Sequence, residues 1–454
     1  MIKEMIHLLE TGQTNSVELV KKSISIHEKW IHKNALANIS PQALYLAAQR
    51  DEERKNKMIR GPLHGIPLVI KDNILYRDGT PTTASAYSLH DLIPPFDATI
   101  ITKLIDAGAI ILGKANLSEF AYFMSYDNMP SGYGSMHGQV KHPFDESVDP
   151  FGSSTGSAVA VKLGITNVAI GTETNGSLMA PAYQCQIVSF KPTFGYVSKK
   201  GIIPISPTQD TAGPMALTVE DCALLMDVMA TPDSLDPSTL HLKRPQSYSK
   251  RLDEPLEHQT IGLIYVKDHP YQASELEVIT NIKKRLNKLG HQTKDLLIEK
   301  GHLNNDPTLL IEFKYAMNTF LNEVHGSTKM SSLKDIITFN QQHEKRCLVY
   351  GQSILIKSEE THGDVKQSDY LHMREELLEQ AKLFEDLMIK HQLIALVAPI
   401  WMGFAPIYGN PSLCIPEGVY NKEPKASVFV GKEYDDETLL RLGHQYQGIM
   451  NQEK

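Results

Sequence analysis

The chain has 454 residues, of which 41% are hydrophobic and 22% are charged, and this balance excludes a globally disordered protein. Its 45 basic and 53 acidic side chains give a net charge of −8, so charge provides no reason to expect nucleic acid or an anionic membrane as a partner. The four cysteines lie far apart without a C-x-x-C pair, which predicts free thiols in a reducing compartment. We expect neither a metal nor another cofactor.

The sequence also predicts a cytoplasmic location. Residues 1–6 mix charged with apolar side chains and lack the apolar core of a signal peptide. No run of about 18 apolar residues, the length that a transmembrane helix needs, occurs in the sequence.

Apolar periodicity predicts the following elements in the first half of the chain: two helices within residues 3–30, a helix over 41–57, a strand over 68–70, a helix over 98–109, a strand over 110–113, the start of a helix over 116–120, a long irregular loop over 126–150, a buried element over 158–170, and a helix over 219–229. This alternation of strands and helices predicts an α/β fold, with a sheet covered by helices.

In the second half, a linker-like stretch over 230–260 precedes a strand over 261–266, a helix over 274–289, a mostly helical region over 311–392, a buried strand over 393–399, a loop over 409–418 and a helix over 437–449.

Two glycine-flanked, hydroxyl-rich segments, residues 152–157 and 171–177, surround the apolar run 158–170. Glycine beside serine lets the backbone bend sharply and leaves its N–H groups free to face a ligand. An oxyanion hole needs this geometry.

Lys71 directly follows the short apolar strand 68–70. Lysine is seldom buried without a partner, and taken alone this residue is best interpreted as a strand-end lysine that extends to water.

Gly152, Ser154 and Gly156 also satisfy the G-x-S-x-G nucleophile elbow. That elbow requires an apolar strand directly before it, whereas residues 145–151 are mostly polar or turn-forming. We therefore set this interpretation aside.

Five stretches together resemble the amidase signature family: residues 65–73 (GIPLVIKDN), 151–157 (FGSSTGS), 171–177 (GTETNGS), 190–195 (FKPTFG) and 210–221 (DTAGPMALTVED). The similarity is strong over 61–230 and faint beyond 240, except near Pro399 and over 410–449. It implies a single domain over 1–454, with a signature core at 61–230, a more variable region at 240–395 and a closing strand and helix at 393–450. The implied fold is a central mixed, twisted sheet with helices on both faces.

The resemblance also implies a catalytic triad. Ser177 would form the acyl-enzyme, Ser153 would follow a cis peptide bond and relay the proton, and Lys71 would be the ultimate base. A buried lysine can serve as a base because burial favours its neutral form.

Further roles follow from the same resemblance. The backbone N–H groups of Thr174, Asn175 and Gly176 would stabilise the oxyanion, and Ser154 would support the lysine or the loop. Phe123 and Ser125 would border the acyl pocket, with ordinary loop packing as the alternative.

Six positions depart from the family pattern, two of them glycines that are replaced within residues 151–157. Glu173 and Met179 replace an Asp and an Arg that usually pair, so Glu173 must find another partner or face water. Asn175 replaces a glycine, and asparagine tolerates a left-handed backbone. Leu217 stands at a position where the family often has an Arg.

The sequence therefore predicts an amidase that hydrolyses a linear carboxamide, with a small-molecule amide as partner and a homodimer left open. Two alternatives remain: a glutaminase that resembles the amide-hydrolysing component of glutamine amidotransferases, and a degenerate family member that binds a ligand without catalysis. His64, His137 and His142 stand alone in loops, and we expect them to face solvent.

Overall fold

Eleven strands form one sheet within residues 1–267 and 269–453, the part of the chain that the computed structural model describes. The strands are β1 (Leu36–Ile39), β2 (Pro67–Lys71), β3 (Ile110–Ala115), β4 (Val168–Glu173), β5 (Val188–Lys191), β6 (Thr211–Ala216), β7 (Thr260–Val266), β8 (Gln292–Ile298), β9 (Ala395–Ala398), β10 (Ser412–Tyr420) and β11 (Glu423–Gly431). Their order across the sheet is β1-β3-β2-β4-β6-β5-β10-β11-β9-β7-β8.

The sheet is mixed, as predicted. Strand β2 pairs in parallel with β3 and β4, and β7 pairs in parallel with β8 and β9. The remaining pairs are antiparallel. Strands from both ends of the chain enter one sheet, which supports the single-domain assignment; that assignment stays a prediction.

Helices pack on both faces of the sheet. They are α1 (Ile2–Glu10), α2 (Ser16–Lys29), α3 (Ala43–Lys55), α4 (Thr99–Asp106), α5 (Thr155–Lys162), α6 (Met179–Cys185), α7 (Val219–Met229), α8 (Ala273–Lys288), α9 (Asp306–Glu323), α10 (Leu333–Gln342), α11 (Glu344–Cys347), α12 (Ser353–Glu360), α13 (Ser368–Ala381), α14 (Leu383–Lys390), α15 (Phe404–Tyr408) and α16 (Asp436–Gln452). None of the described helices is both long and apolar enough to cross a membrane.

Strand β2 shows why the central strands are apolar throughout. Leu68 and Ile70 belong to one hydrophobic cluster, whereas Val69 belongs to a second cluster that includes α5. Side chains alternate between the two faces of a strand, so a strand covered on both sides needs apolar residues at every position. Lys71, two residues after Val69, interrupts this pattern at the carboxyl end of β2.

Three predicted elements are wrong. Residues 158–170 are the end of α5, a turn and the start of β4, and both elements are apolar because both are buried. Residues 116–120 do not begin a helix: residues 119–122 form a short turn in which Phe120 and Ala121 have positive φ angles of 49° and 55°. The predicted loop over 409–418 is mostly strand β10, which pairs with β11 as an antiparallel hairpin.

Candidate active site

Lys71 lies at the centre of a buried polar cluster at the end of β2. Its side chain is fully buried. Its Nζ donates to Ser153 Oγ at 2.7 Å, Ser154 Oγ at 3.0 Å, and both Oγ1 and the carbonyl oxygen of Thr172 at 2.9 and 3.2 Å. The alternative of a lysine that extends to water is therefore wrong, because hydroxyl and carbonyl groups replace water around the amine.

The environment of Lys71 favours its neutral form. Burial lowers the pKa of the Lys71 amine from 10.5 to about 7, and the carboxylates of Asp210 and Glu173 oppose this shift. No carboxylate forms an ion pair with Lys71 among the described residues, so desolvation outweighs attraction. A substantial fraction of Lys71 is thus uncharged at neutral pH.

Ser153 and Ser154 immediately precede helix α5. The Gly152–Ser153 peptide bond is cis, as the resemblance implies. Ser154 Oγ donates to the carbonyl oxygen of Thr172 at 2.9 Å and accepts from the Thr172 N–H at 3.2 Å. Ser154 therefore ties the start of α5 to β4 while it contacts the lysine, which agrees with a supporting role.

Gly171 allows this close approach between α5 and β4. A Cβ atom at residue 171 would lie 2.8 Å from Ser154 Oγ and 2.7 Å from a methyl group of Leu178. Any larger residue would push Ser154 away from β4 and from Lys71.

Ser177 follows β4 in the loop formed by residues 174–177, called the nucleophile loop below. The carbonyl oxygen of Ser177 accepts the backbone N–H of Ser154 at 3.2 Å, so the two serine segments are in direct contact. The Ser177 side chain borders a cavity of about 400 Å³, and its hydroxyl has no hydrogen-bond partner among the described residues. This serine is open to a ligand, while Ser153 lies behind it in the protein interior.

The backbone N–H groups of the nucleophile loop are free of hydrogen bonds within the described part of the chain. Free and converging N–H groups are what an oxyanion hole requires. Gly176 has a φ angle of +88°, and a Cβ there would lie 2.7 Å from the Trp401 ring. The left-handed residue of the loop is thus Gly176, and Asn175, which replaces a family glycine, has no positive φ angle.

Glu173 accepts hydrogen bonds from backbone N–H groups and not from an arginine. It is buried, and its Oε2 accepts the backbone N–H groups of Leu178 and Met179 at 2.7 and 3.2 Å, at the start of α6. A second charge lies nearby: burial lowers the pKa of Lys191 to about 8, and the Glu173 carboxylate opposes that shift. Backbone N–H groups thus bind one oxygen of the Glu173 carboxylate, while Oε1 has no hydrogen-bond partner among the described residues.

Asp210 holds the nucleophile loop through Thr174. Its Oδ1 accepts the Thr174 hydroxyl at 2.5 Å, and its Oδ2 accepts the backbone N–H groups of Ile205 and Ser206 at 2.8 and 2.9 Å. Burial raises the pKa of Asp210 to about 6, although these hydrogen bonds act in the opposite direction.

Phe123 and Ser125 both line the cavity beside Ser177. The Ser125 hydroxyl is already engaged, because it donates to Asp127 Oδ2 at 2.8 Å and lies 3.0 Å from Ser353 Oγ. Sequence reasoning missed the opposite wall, which comes from the variable region: Asn305, Asp306, Leu309 and Ile354. Their only sequence signal is ordinary helical spacing, which any packed helix would show.

The prediction that three histidines face solvent is wrong at two positions, and at the third the His137 side chain is only 18% exposed, with its Nε2 3.3 Å from Thr83 Oγ1. His64 and His142 are buried, where His64 Nε2 lies 2.9 Å from the carbonyl oxygen of Arg50 and His142 Nε2 lies 3.3 Å from that of Gln184. Both partners are backbone groups of other segments and leave no trace in the local sequence. In the described residues, no group of three or more His, Cys, Asp or Glu side chains is arranged to hold a metal ion.

Comparisons with known proteins show the family of the chain. The family model described as Amidase matches residues 18–440. A probable amidase of Arabidopsis thaliana is 31% identical over 447 residues, which cover 95% of this chain and 85% of the relative. A glutamyl-tRNA(Gln) amidotransferase component of Thioalkalivibrio sulfidiphilus is 29% identical over 482 residues, with 99% and 96% covered.

Among solved structures, the peptide amidase of Stenotrophomonas maltophilia matches with a TM-score of 0.93 at 33% identity, over 99% of this chain and 96% of that chain. The chain therefore belongs to the amidase family and is an amide-hydrolysing enzyme.

Proposed function

We propose that this enzyme hydrolyses linear carboxamides through an acyl intermediate on Ser177, which Lys71 and Ser153 activate. One observation carries the proposal: the fully buried Lys71 amine lies 2.7 Å from the Ser153 hydroxyl. Three of its four partners are hydroxyl groups, which donate as well as accept hydrogen bonds. A neutral amine at residue 71 can therefore receive the Ser153 proton.

In the acylation step, Lys71 takes the proton of Ser153, and Ser153 takes that of Ser177 once substrate binding brings the two hydroxyls into hydrogen-bond contact. The Ser177 oxygen attacks the carbonyl carbon, and the N–H groups of the nucleophile loop stabilise the negative oxygen that forms. The relay then returns the proton to the leaving nitrogen, the C–N bond breaks, and the amine or ammonia departs.

In the deacylation step, water replaces the amine. The same relay takes one proton from water, the resulting hydroxide attacks the Ser177 ester, and the C–O bond to Ser177 breaks. The proton returns to Ser177, and the carboxylic acid leaves and gives up its remaining proton to the solvent, so the overall reaction consumes one water molecule for each amide.

The cavity supports an acyl group with apolar character. Phe123, Leu309 and Ile354 contribute apolar walls, while Asn305 and Asp306 place polar groups beside them. The similarity to a peptide amidase favours amidated peptides as the first substrates to test.

A fluorophosphonate probe tests the nucleophile. We expect the wild-type protein to be labelled at Ser177, as located by peptide mass spectrometry, and Ser177→Ala to lose both the label and amide hydrolysis. Ser157→Ala is a matched control, because Ser157 is also buried but its hydroxyl faces the carbonyl oxygen of Ile170 at 3.4 Å. A protein that hydrolyses amides without Ser177 would refute the proposal.

A second candidate is a glutaminase that passes ammonia to a partner complex. The similarity to a glutamyl-tRNA(Gln) amidotransferase component over nearly the whole chain favours it. Ammonia release from aliphatic, aromatic, amino-acid and peptide amides by the purified chain alone would support the amidase. Activity on glutamine that appears only with copurified proteins would support the second candidate, and absence of both label and activity would support a non-catalytic ligand-binding protein.

We also propose a cytoplasmic location. The four cysteines are buried free thiols, which suits a reducing compartment. Fractionation of cells that express the tagged chain tests this location.

A further inference from the structure

Asn175, which replaces a family glycine beside the nucleophile, makes a long-range contact. Its Nδ2 donates to Oδ1 of Asn305 at 3.3 Å, across 130 positions of sequence. Asn305 is buried and lies directly before α9, in the variable region. A residue of the nucleophile loop is thus joined to the start of a helix that forms the opposite wall of the cavity.

The contact continues through a third amide and returns to the loop. Asn305 Nδ2 donates to Gln209 Oε1 at 3.3 Å, and Gln209 Nε2 donates to the carbonyl oxygen of Thr174 at 3.1 Å. Thr174 and Asn175 are neighbours, so the three side-chain amides close a ring on the loop. We call the side chains of Asn175, Asn305 and Gln209, together with the Thr174 carbonyl, the amide ring.

The nucleophile loop needs support of this kind. An oxyanion hole requires unpaired backbone N–H groups, so these groups cannot fix the loop by regular helix or strand pairing. The loop can therefore be held in place only through its carbonyl groups and its side chains. The amide ring uses one of each, and two of its three side chains, Asn305 and Gln209, are buried.

The amide ring also connects the loop to the substrate cavity. Asn175 and Asn305 line the cavity, and Leu309, one turn into α9, contributes an apolar wall. A displacement of the start of α9 would therefore reach the nucleophile loop through Asn305.

We propose that the amide ring positions the oxyanion hole, with Asn175, Asn305 and Gln209 as positioning residues for hydrolysis. This inference rests on the proposed function, in which the loop N–H groups bind the oxyanion. A ring that serves only stability would affect unfolding but not turnover.

The experiment compares Asn175→Ala, Asn305→Ala and the double variant. We expect each single variant to lower kcat about tenfold while KM changes less than about twofold, since the loss lies in the transition state. The double variant should be no worse than the poorer single variant, because either substitution already breaks the ring. The rate of fluorophosphonate labelling at Ser177 should fall in parallel with kcat.

Two further variants separate positioning from folding. Gln209→Glu keeps an acceptor for Asn305 but loses the donor to Thr174, and it should also lower kcat. Asn281→Ala is the matched control: it removes a 3.2 Å hydrogen bond to Tyr420 OH between α8 and β10, and should leave kcat unchanged. If Asn175→Ala does not fold, Asn175→Gly restores the family residue and carries the same expectation.

The outcomes are distinct. A lower Tm with wild-type kcat and labelling rate, or independent multiplicative losses in the double variant, would overturn the positioning role. Failure of the proposed function would look different, because Ser177 of the wild-type protein would then not be labelled at all.

Discussion

Residues 61–230 and residues 240–395 bury their polar groups to very different degrees. In the first region, Lys71, Ser153 and Ser154 are completely buried and hydrogen-bonded to one another. In the second, helices α8 and α10 expose polar faces, and the edge strand β8 is mostly exposed. Burial tunes an amine only where protein groups replace the water around it, as they do around Lys71, so the proposed base lies in the first region.

The cavity draws on both regions. Ser177, Asn175 and Phe123 come from the first region, and Leu309 and Ile354 from the second. If this division of labour is right, substitutions in the first region and at Asn305, which holds the nucleophile loop, alter the chemical step. Substitutions of the apolar wall residues Leu309 and Ile354 alter the choice of substrate.

Lys71→Met tests the first half of this comparison with the largest expected effect. Methionine fills a similar volume but cannot accept a proton, so kcat/KM should fall by a factor of about 1,000 or more. The free energy of unfolding should stay equal or rise, because a buried ionisable group without an ion-pair partner is replaced by an apolar one. Activity assays and urea unfolding measure the two, and a stable variant that retains hydrolysis would contradict the role of the lysine.

The pH dependence of hydrolysis tests how burial tunes Lys71. With a pKa of about 7, the amine is protonated and inactive at lower pH, so kcat/KM should fall about tenfold per pH unit on the acid side and level off above neutrality. Asp210→Asn removes a negative charge that raises the pKa of Lys71, and the acid limb should therefore move to lower pH.

Asp210→Asn also weakens the contact with Thr174 and can therefore lower the rate at every pH. The relevant measurement is the pH at which kcat/KM begins to fall on the acid side, and not the absolute rate. Glu254→Gln, at an exposed ion pair far along the chain, is the control and should leave the limb in place. A limb that does not move in Asp210→Asn would show that this carboxylate has no influence on the base.

Leu309→Ala tests the second half of the comparison. Leu309 is buried against the cavity in α9 and takes no part in the polar cluster around Lys71. We expect the ratio of kcat/KM between a long and a short acyl chain to change about tenfold, because a few methylene contacts are gained or lost in the pocket. Leu321→Ala, on the same helix but outside the cavity wall, should change stability without changing that ratio, and an equal effect of both variants would count against the division.

Motif residues could be predicted from sequence because their signal is local. Gly152 and Gly176 mark the two sharp bends, Gly171 marks the close approach of α5 to β4, and the apolar strand 68–70 marks the position of Lys71. The mixed sheet with helices on both faces also follows from the local alternation of strands and helices together with the family resemblance.

Long-range partners could not be predicted in this way. The amide ring joins Asn175 to a residue 130 positions away, and nothing near either asparagine indicates the other. The turn residues Gly409, Asn410 and Pro411 directly before strand β10 led to the prediction of a loop. The strand itself depends on pairing with β11, and a local sequence pattern does not contain that partner. Similarly, the buried His64 ring contacts the backbone carbonyl oxygen of Arg50, which belongs to another segment and cannot be recognised from the residues around His64.

Leu217→Arg has the smallest expected effect and sharpens the comparison within the first region. The family resemblance implies an arginine at residue 217, but here the Leu217 side chain is 46% exposed and follows β6 on the surface. Its backbone carbonyl accepts Gln447 Nε2 at 3.1 Å, a bond that a change of side chain leaves in place. The free energy of unfolding should therefore change by less than about 0.5 kcal/mol, as for most surface substitutions, and kcat/KM should stay at the wild-type value. Urea unfolding and an amide assay measure both, and a gain in activity would mean that this departure from the family pattern weakens the enzyme through a path other than the buried cluster around Lys71.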